Sequence, residues 1–245
     1  MNSGMYAALT GNIAAMQKLD ILANNLANVN TTGYKRDRFQ FESILGTVNN
    51  PTANAAPLTA APVHSNLIQQ TDFSAGGVQQ TKNTLDFAID GSGFFVVETP
   101  EGRRYTRQGN FHLDQTGRLV TADGHSVMGG GPITISGGRV DVDGEGKIFV
   151  DGGQVGTLDI VDFPKPYQLE KVGSALFAPT NAQAAPQPAS TASVVKQGFL
   201  ENSNVSAVLE MVQLIETARY FDSCSKAVKT YDDMATRAVN ELGRV

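Results

Sequence analysis

The chain has 245 residues, 41% of them apolar, with a formal net charge of −5 and one cysteine. That apolar share supports a packed core and argues against a chain without structure. The acidic balance argues against a general nucleic-acid or acidic-lipid binder. Cys224 is the single cysteine, so no intrachain disulfide can form. No run of about 18 apolar residues is present to span a membrane. The first 17 residues carry no charged side chain and lack the basic start and cleavage site of a secretory signal. A protein of this kind that leaves the cytoplasm needs another address.

Residues Ser3 to Asn30 are rich in Ala, Leu, Met, Gln and Asn. Tyr6, Leu9, Ile13 and Met16 recur at three- and four-residue steps, as one face of a helix requires, and Leu19, Leu22, Leu26 and Val29 continue the stripe. One step between Met16 and Leu22 is a residue short of a strict heptad. Gly33 is expected to stop the helix, because glycine tolerates the left-handed conformation at helix ends. Asn24, Asn25 and Asn28 are poor helix formers. Asn24 and Asn28 share a face, where amides could fix the register between paired helices; a polar solvent face is the alternative. The cluster Lys35-Arg36-Asp37-Arg38 reads as a solvated turn.

The segment from Gly46 to Asn66 holds three prolines among small residues and reads as an extended arm. A second such linker runs from Pro179 to Ser193. Between them lie short β-branched and aromatic runs: Phe94–Val97, Arg118–Thr121, Ile133–Ile135, Lys147–Val150 and Leu158–Val161. Turn signals separate them, among them Pro100-Glu101-Gly102, Asp114 to Gly117, Asp123-Gly124, Asp143-Gly144 and Asp151-Gly152. This pattern predicts an all-β barrel or sandwich.

Beyond Phe199 the helical pattern returns. Asn202, Ser203 and Asn204 are candidate N-caps. Met211, Leu214, Ala218, Phe221, Cys224, Val228, Tyr231, Ala235, Ala238 and Leu242 form one stripe without Gly or Pro. Each terminal helix is long for a surface helix: 26 residues extend roughly 40 Å. Pairing the two as a coiled coil buries both stripes. Packing of both helices on the β region is the alternative. The expected fold is therefore α+β. Its parts are an N-terminal helix in 1–34, an arm in 35–84, a central β domain in 85–178, a linker in 179–203 and a C-terminal helix in 204–245.

No constellation for chemistry emerges. His64, His112 and His125 have no metal-ligand spacing, and no G-x-S-x-G elbow is present. Gly91-Ser92-Gly93 lacks the third glycine of a dinucleotide loop. The run Asp141 to Glu145 resembles a calcium loop, but Gly152 stands where its bidentate Glu is needed. Ser223 and Lys226 match S-x-x-K without the accompanying motifs. The expectation is no enzyme, no cofactor and no small-molecule substrate. A β-rich surface hydrolase, or a binding module with helical attachment segments, is the alternative from another class.

The run from Ala23 to Lys35, ANNLANVNTTGYK, closely resembles the N-terminal signature of bacterial flagellar rod and hook proteins. Asp72 to Gly76, Gln79 to Thr81, Leu85 to Phe95, Tyr105 to Phe111, Gln197 to Val205 and Ser225 to Val228 resemble further segments of that family, in family order. Length separates this chain from the shorter inner rod proteins and the longer hook proteins. The stretches Val127 to Ile133 and Val155 to Gly173 are more similar to the proximal-rod than to the distal-rod type. The resemblance implies terminal helices lining a channel, with the β domain outside them. It implies contacts with copies of itself, with distal- and inner-rod proteins, and with the flagellar export apparatus, in a periplasmic rod. The residues expected at assembly interfaces are Leu9, Ile13, Met16, Leu22, Asn24, Asn25, Leu26, Asn28, Gly33, Tyr34, Met211, Leu214, Ala218, Phe221, Val228 and Tyr231.

Overall fold

The computed structural model describes residues 2–43, 65–173, 175–181, 184–189 and 193–242. Helices α1 (Asn2–Ala27) and α2 (Ala207–Leu242) bracket a β-rich middle. The first strands are β1 (Asp37–Ser43), β2 (Ser65–Thr71), β3 (Val78–Gln80), β4 (Phe87–Asp90), β5 (Phe94–Thr99) and β6 (Gly102–Thr106). Then come β7 (His112–Leu113), β8 (Leu119–Val120), β9 (Ser126–Val127), β10 (Val140–Val142), β11 (Lys147–Val150) and β12 (Gly153–Thr157). The last are β13 (Ile160–Asp162), β14 (Leu169–Val172), β15 (Leu176–Pro179), β16 (Gln187–Pro188), β17 (Val194–Gln197) and β18 (Phe199–Glu201). Strands thus occupy parts of both segments expected as arm and linker. β1 pairs with β2, and β16 inside the second linker pairs with β13. Residues 46–64 of the Pro-rich arm lie outside the described residues.

The chain divides into two compact units. One comprises residues 1–24, 37–70 and 208–245; the other comprises 25–36 and 71–207.

In the first unit α1 and α2 run antiparallel. Gly4 faces Tyr231, Gly11 faces Tyr220 and Cys224, and Asn12 Nδ2 donates to Ser225 Oγ at 3.3 Å. The less exposed positions of α1 include Gly4, Ala8, Gly11, Ala15, Lys18 and Leu22; on α2 they include Glu210, Leu214, Thr217, Phe221, Cys224, Val228 and Tyr231. Both sets step regularly by four and three, the repeat that keeps a seam facing its partner. The heptad is therefore unbroken, in a frame different from the one the large apolar residues suggest. On α1 the first four seam positions, Gly4, Ala8, Gly11 and Ala15, are small residues. A β-carbon on Gly11 would lie 2.9 Å from Tyr220 Oη and 3.3 Å from Cys224 Sγ. The bulky groups of α2 need this room. Consequently Tyr6, Leu9, Ile13 and Met16, expected to face α2, are exposed instead.

The second unit is built on β5. The main sheet runs in the order β14-β15-β6-β5-β9-β8-β7, with β13 also paired to β5, and its described pairings are antiparallel. Phe95 and Val97 enter one apolar core with Phe87, Phe111, Leu119, Val127 and Ile148. Phe94 and Val96 enter another with Tyr105, Phe163, Leu169 and Phe177. Successive strand residues point to opposite faces, so a strand with a core on each side must be apolar throughout. The meander β10-β11-β12 contributes Val140 and Ile148 to the first core. Its second turn is Asp151-Gly152, both with positive φ (50° and 85°), as a tight two-residue hairpin demands. The segment 133–135, expected as a strand, makes only an isolated bridge between Thr134 and Arg118.

Replacing a mid-helix glycine by leucine ordinarily favours a helix by roughly 1 kcal/mol. At Gly11 we expect the reverse, because leucine would fill the space occupied by Tyr220 and Cys224. Helical circular dichroism of Gly11→Leu should melt at lower temperature than the parent chain. A higher melting temperature would show that the seam does not run through this residue.

Candidate functional site

The chain leaves α1 through a corner of overlapping tight turns. Asn28 N donates to Asn25 O, Thr31 N to Asn28 O, and Tyr34 N to Thr31 O, at 3.1 to 3.3 Å. The amides serve this corner. Asn25 is buried and accepts the Tyr34 hydroxyl at 3.1 Å; Asn28 Oδ1 accepts the Thr31 hydroxyl at 3.1 Å. Asparagine suits turns because its side chain can replace a backbone partner. Asn24, expected with Asn28 to fix the register between paired helices, is exposed. Gly33 has φ +67°, and a β-carbon there would sit 2.5 Å from the Arg107 carbonyl carbon. Only glycine fits both constraints.

Below the corner lies a buried ionic node. Lys35 is 1% exposed, and its ammonium donates to Glu201 Oε1 at 2.6 Å and to Ser74 O at 2.7 Å. Arg107 donates to Glu201 Oε2 at 3.2 Å, to Ile89 O at 3.0 Å and to Gly91 O at 2.6 Å. Gly76 N completes the set on Glu201 Oε1 at 2.9 Å, and the Glu201 carbonyl accepts from Gly33 N at 2.7 Å. Burial pushes the Lys35 ammonium below its usual pKa; the Glu201 carboxylate works against that shift and the Arg107 charge works with it. The expected solvated turn at residues 35–38 is thus corrected: Lys35 and Asp37 are both buried. Local composition signalled a surface, while the partners that pull Lys35 inward stand 39 and 166 residues away.

A second layer fixes the corner from outside. Asn204 accepts from Arg36 N at 2.8 Å and donates to the carbonyls of Asp72 and Ser74 at 2.8 and 3.2 Å. Arg36 Nε meets Asp72 Oδ2 at 3.0 Å. Lys171 donates to Lys35 O at 2.7 Å, with its ammonium 4.2 Å from the centre of the Tyr34 ring. Burial would raise the Asp72 carboxyl, but hydrogen bonds from Ser74 and Arg36 together hold it below its usual value.

The sequence-predicted residues fall into three groups. Leu9, Ile13, Met16, Asn24 and Met211 are exposed on the helices. Leu22 is buried, and Leu214, Ala218, Phe221, Val228 and Tyr231 are half-buried, along the helix seam or beside it. Asn25, Asn28, Gly33 and Tyr34 belong to the corner, with Leu26 half-buried at its entrance. Sequence reasoning missed Lys35, Arg107 and Glu201 as a set. Each stands inside a quoted motif, but no local spacing rule joins residues 94 and 166 positions apart.

Nothing in this geometry resembles a reactive centre. Among the described residues no group of three or more His, Cys, Asp or Glu is placed to hold a metal ion. In the calcium-like loop, Asp143 Oδ1 instead accepts from Glu145 N and Lys147 N, which makes it a turn between strands.

Three family profiles match the chain: "Flagella basal body rod protein" over residues 5–35, "Flagellar hook protein FlgE/F/G D1 domain" over 88–150, and "Flagellar basal body rod FlgEFG protein C-terminal" over 196–241. The flagellar basal-body rod protein FlgG of Bacillus subtilis is 39% identical over 98% of this chain and 99% of its own. FlgF of Rhizobium meliloti is 34% identical over 99% of both chains, and FlgF of Caulobacter vibrioides is 34% identical over the whole of both. The chain belongs to the flagellar basal-body rod protein family. It is a structural protein of the basal body that assembles with other rod proteins, and not an enzyme. Lys35, Arg107 and Glu201 come one from each of the three matched segments.

Two predictions test the corner. Gly33→Ala should destabilise the chain by at least ~2 kcal/mol in urea unfolding, from a left-handed β-carbon plus its collision with the 107–108 backbone. An unchanged midpoint would mean that the turn relaxes freely. Asp72 has a folded pKa below its ordinary 3.8, so its contribution is present above that value and is lost as pH falls through the folded one. Asp72→Asn should therefore lower stability at neutral pH and flatten the acid limb of stability against pH below about pH 4. Parallel acid limbs for the two proteins would refute the assignment.

Proposed function

We propose that this chain is a proximal-rod subunit, of the FlgF type, that polymerises through α1 and α2 to build the rod and its central export channel. The observation that carries this reading is the pair of helices with apolar residues left outside a filled seam. Ile13 and Met16 on α1 are 54% and 59% exposed, and Val208, Leu209, Val212 and Ile215 on α2 are likewise exposed. Burying such a side chain is worth roughly 1.5–3 kcal/mol. Neighbouring copies, joined head to tail without closing a ring, would supply that burial. On this reading Leu9, Ile13, Met16 and Met211 meet neighbours, while Leu22, Leu214, Phe221, Val228 and Tyr231 hold the subunit's own helices together. Export would proceed through the flagellar type III apparatus into the periplasmic space.

The proximal assignment is supported by collinearity. The FlgF relatives from R. meliloti and C. vibrioides align end to end over 249 and 253 positions. The B. subtilis FlgG alignment spans 267 positions against a chain of 245 residues, and the Agrobacterium fabrum FlgG alignment, over 249 positions, covers 94% of this chain. The distal type has the higher identity of that FlgG in its favour. Complementation separates the two: this chain should restore swimming to a strain lacking its proximal-rod gene and leave one lacking its distal-rod gene non-motile.

The double substitution Ile13→Glu with Met16→Glu should reduce swimming halos to background and leave the thermal transition of the β-rich unit unchanged. Normal motility of that variant would rule out α1 as an assembly face.

A further inference from the structure

We propose that the Glu201 carboxylate is a latch: it makes closure of the 28–36 corner conditional on the arrival of strand β18. The inference rests on the ionic node alone and stands whether or not the chain is a rod subunit.

Lys35 and Arg107 place two cations on one carboxylate, and the side chains of all three are nearly inaccessible to water. Without Glu201 a closed corner would hold two like charges in a medium that screens them poorly, and such a state is strongly disfavoured. An open corner returns Lys35 to water. Arg107 keeps its Ile89 and Gly91 carbonyl partners in either case. The sensitive party is thus Lys35, on the corner, rather than Arg107, at the edge of the β core.

The backbone ties have the same dependence. Gly33 N donates to Glu201 O, Arg36 N to Asn204 Oδ1, and Asn204 N to Tyr34 O. The facing loop is held by the same short segment, through Gly76 N to Glu201 Oε1 and Asn202 N to Gly77 O. Residues 201–204 therefore tie both loops at once, in addition to the direct bonds of Lys35 to Ser74 O and of Arg36 to Asp72. The apolar cores use other residues. Phe95 and Val97 pack in one and Phe94 in the other, and Val195 is a member of the first core while Glu201 is a member of neither. The β core can be formed while the corner is open. A chain emerging from its N-terminus has to wait 166 residues before its corner can shut.

Hydrogen exchange on the full chain, followed by mass spectrometry, tests the latch. In Glu201→Ala, segments 31–36 and 72–77 should exchange about tenfold faster or more, while 94–99 keeps its protection. Adding Lys35→Met should recover part of the lost protection, since the stranded ammonium is gone. If Glu201→Ala does not fold, Glu201→Gln keeps the shape, and should open the same two segments severalfold without touching 94–99. The latch is overturned if the corner stays protected in these variants. It is equally overturned if 94–99 loosens in step with the corner, or if Lys35→Met recovers nothing.

Discussion

One carboxylate shared between two buried cations organises the second unit. Glu201 could have been replaced by an apolar residue only together with Lys35 and Arg107, because removing one charge strands the others. Ion pairs of this kind contribute little net stability compared with well-packed apolar groups, but they tolerate few alternative arrangements. The node includes four contributions that are distant in sequence: Lys35 in the corner, the 74–76 loop, Arg107 after β6, and the end of β18. A hydrophobic contact among these would permit sliding. A carboxylate that accepts from an ammonium, a guanidinium and a backbone amide fixes distance and direction together.

The node sits beside a β core that sustains itself differently. β5 has an apolar core on each face, so its sequence shows no alternation. On the second side Phe73, from the loop that also carries Ser74, stacks edge-on against Phe94, Tyr167 and Phe177 at ring distances of 5.1 to 5.8 Å. Phe94 in turn lies under the Arg107 guanidinium at 5.5 Å. The aromatic packing thus orients the loop whose carbonyl and amide complete the node. Directional polar bonds and non-directional apolar burial meet at residues 73–76.

The sequence reading located the helices, most turns and the β-rich middle because those depend on local rules: period, glycine placement and Asx chemistry. Asp114 illustrates this; its carboxylate accepts from Thr116 N and Arg118 N, as the Asp-Gln-Thr-Gly signal implies. The node was illegible for the opposite reason. Lys35 lies in a charged run, and nothing nearby reports that it will be enclosed. The helix seam was misread in a third way. The three- and four-residue steps of Tyr6, Leu9, Ile13 and Met16 selected the row of large apolar residues as the face that pairs with α2. Gly4, Ala8, Gly11 and Ala15 carry no strong apolar signal, although their strict repeat was present in the sequence. The short strand β16 lies among Pro and Ala residues in a region read as a linker, and β17 and β18, four and three residues long, are too short to show a period.

That misreading follows from how the seam is divided. In a pair of equal partners both helices contribute leucine-sized knobs, and little apolar surface is left over. Here α2 supplies the bulk, including Tyr220, Phe221 and Tyr231, and α1 supplies the room. Small residues let the backbones approach and leave the larger side chains of α1 free to point outward. The cost is a weaker pair, since glycine loses more backbone freedom on folding than any other residue. The exposed row is a further liability, because contiguous apolar surface promotes association. Both features are costs for an isolated chain. For the proposed rod subunit they are compatible with a single design: helices weakly held by their own seam gain their remaining stability from neighbours that cover Ile13 and Met16. Order in the helices would then follow assembly rather than precede it.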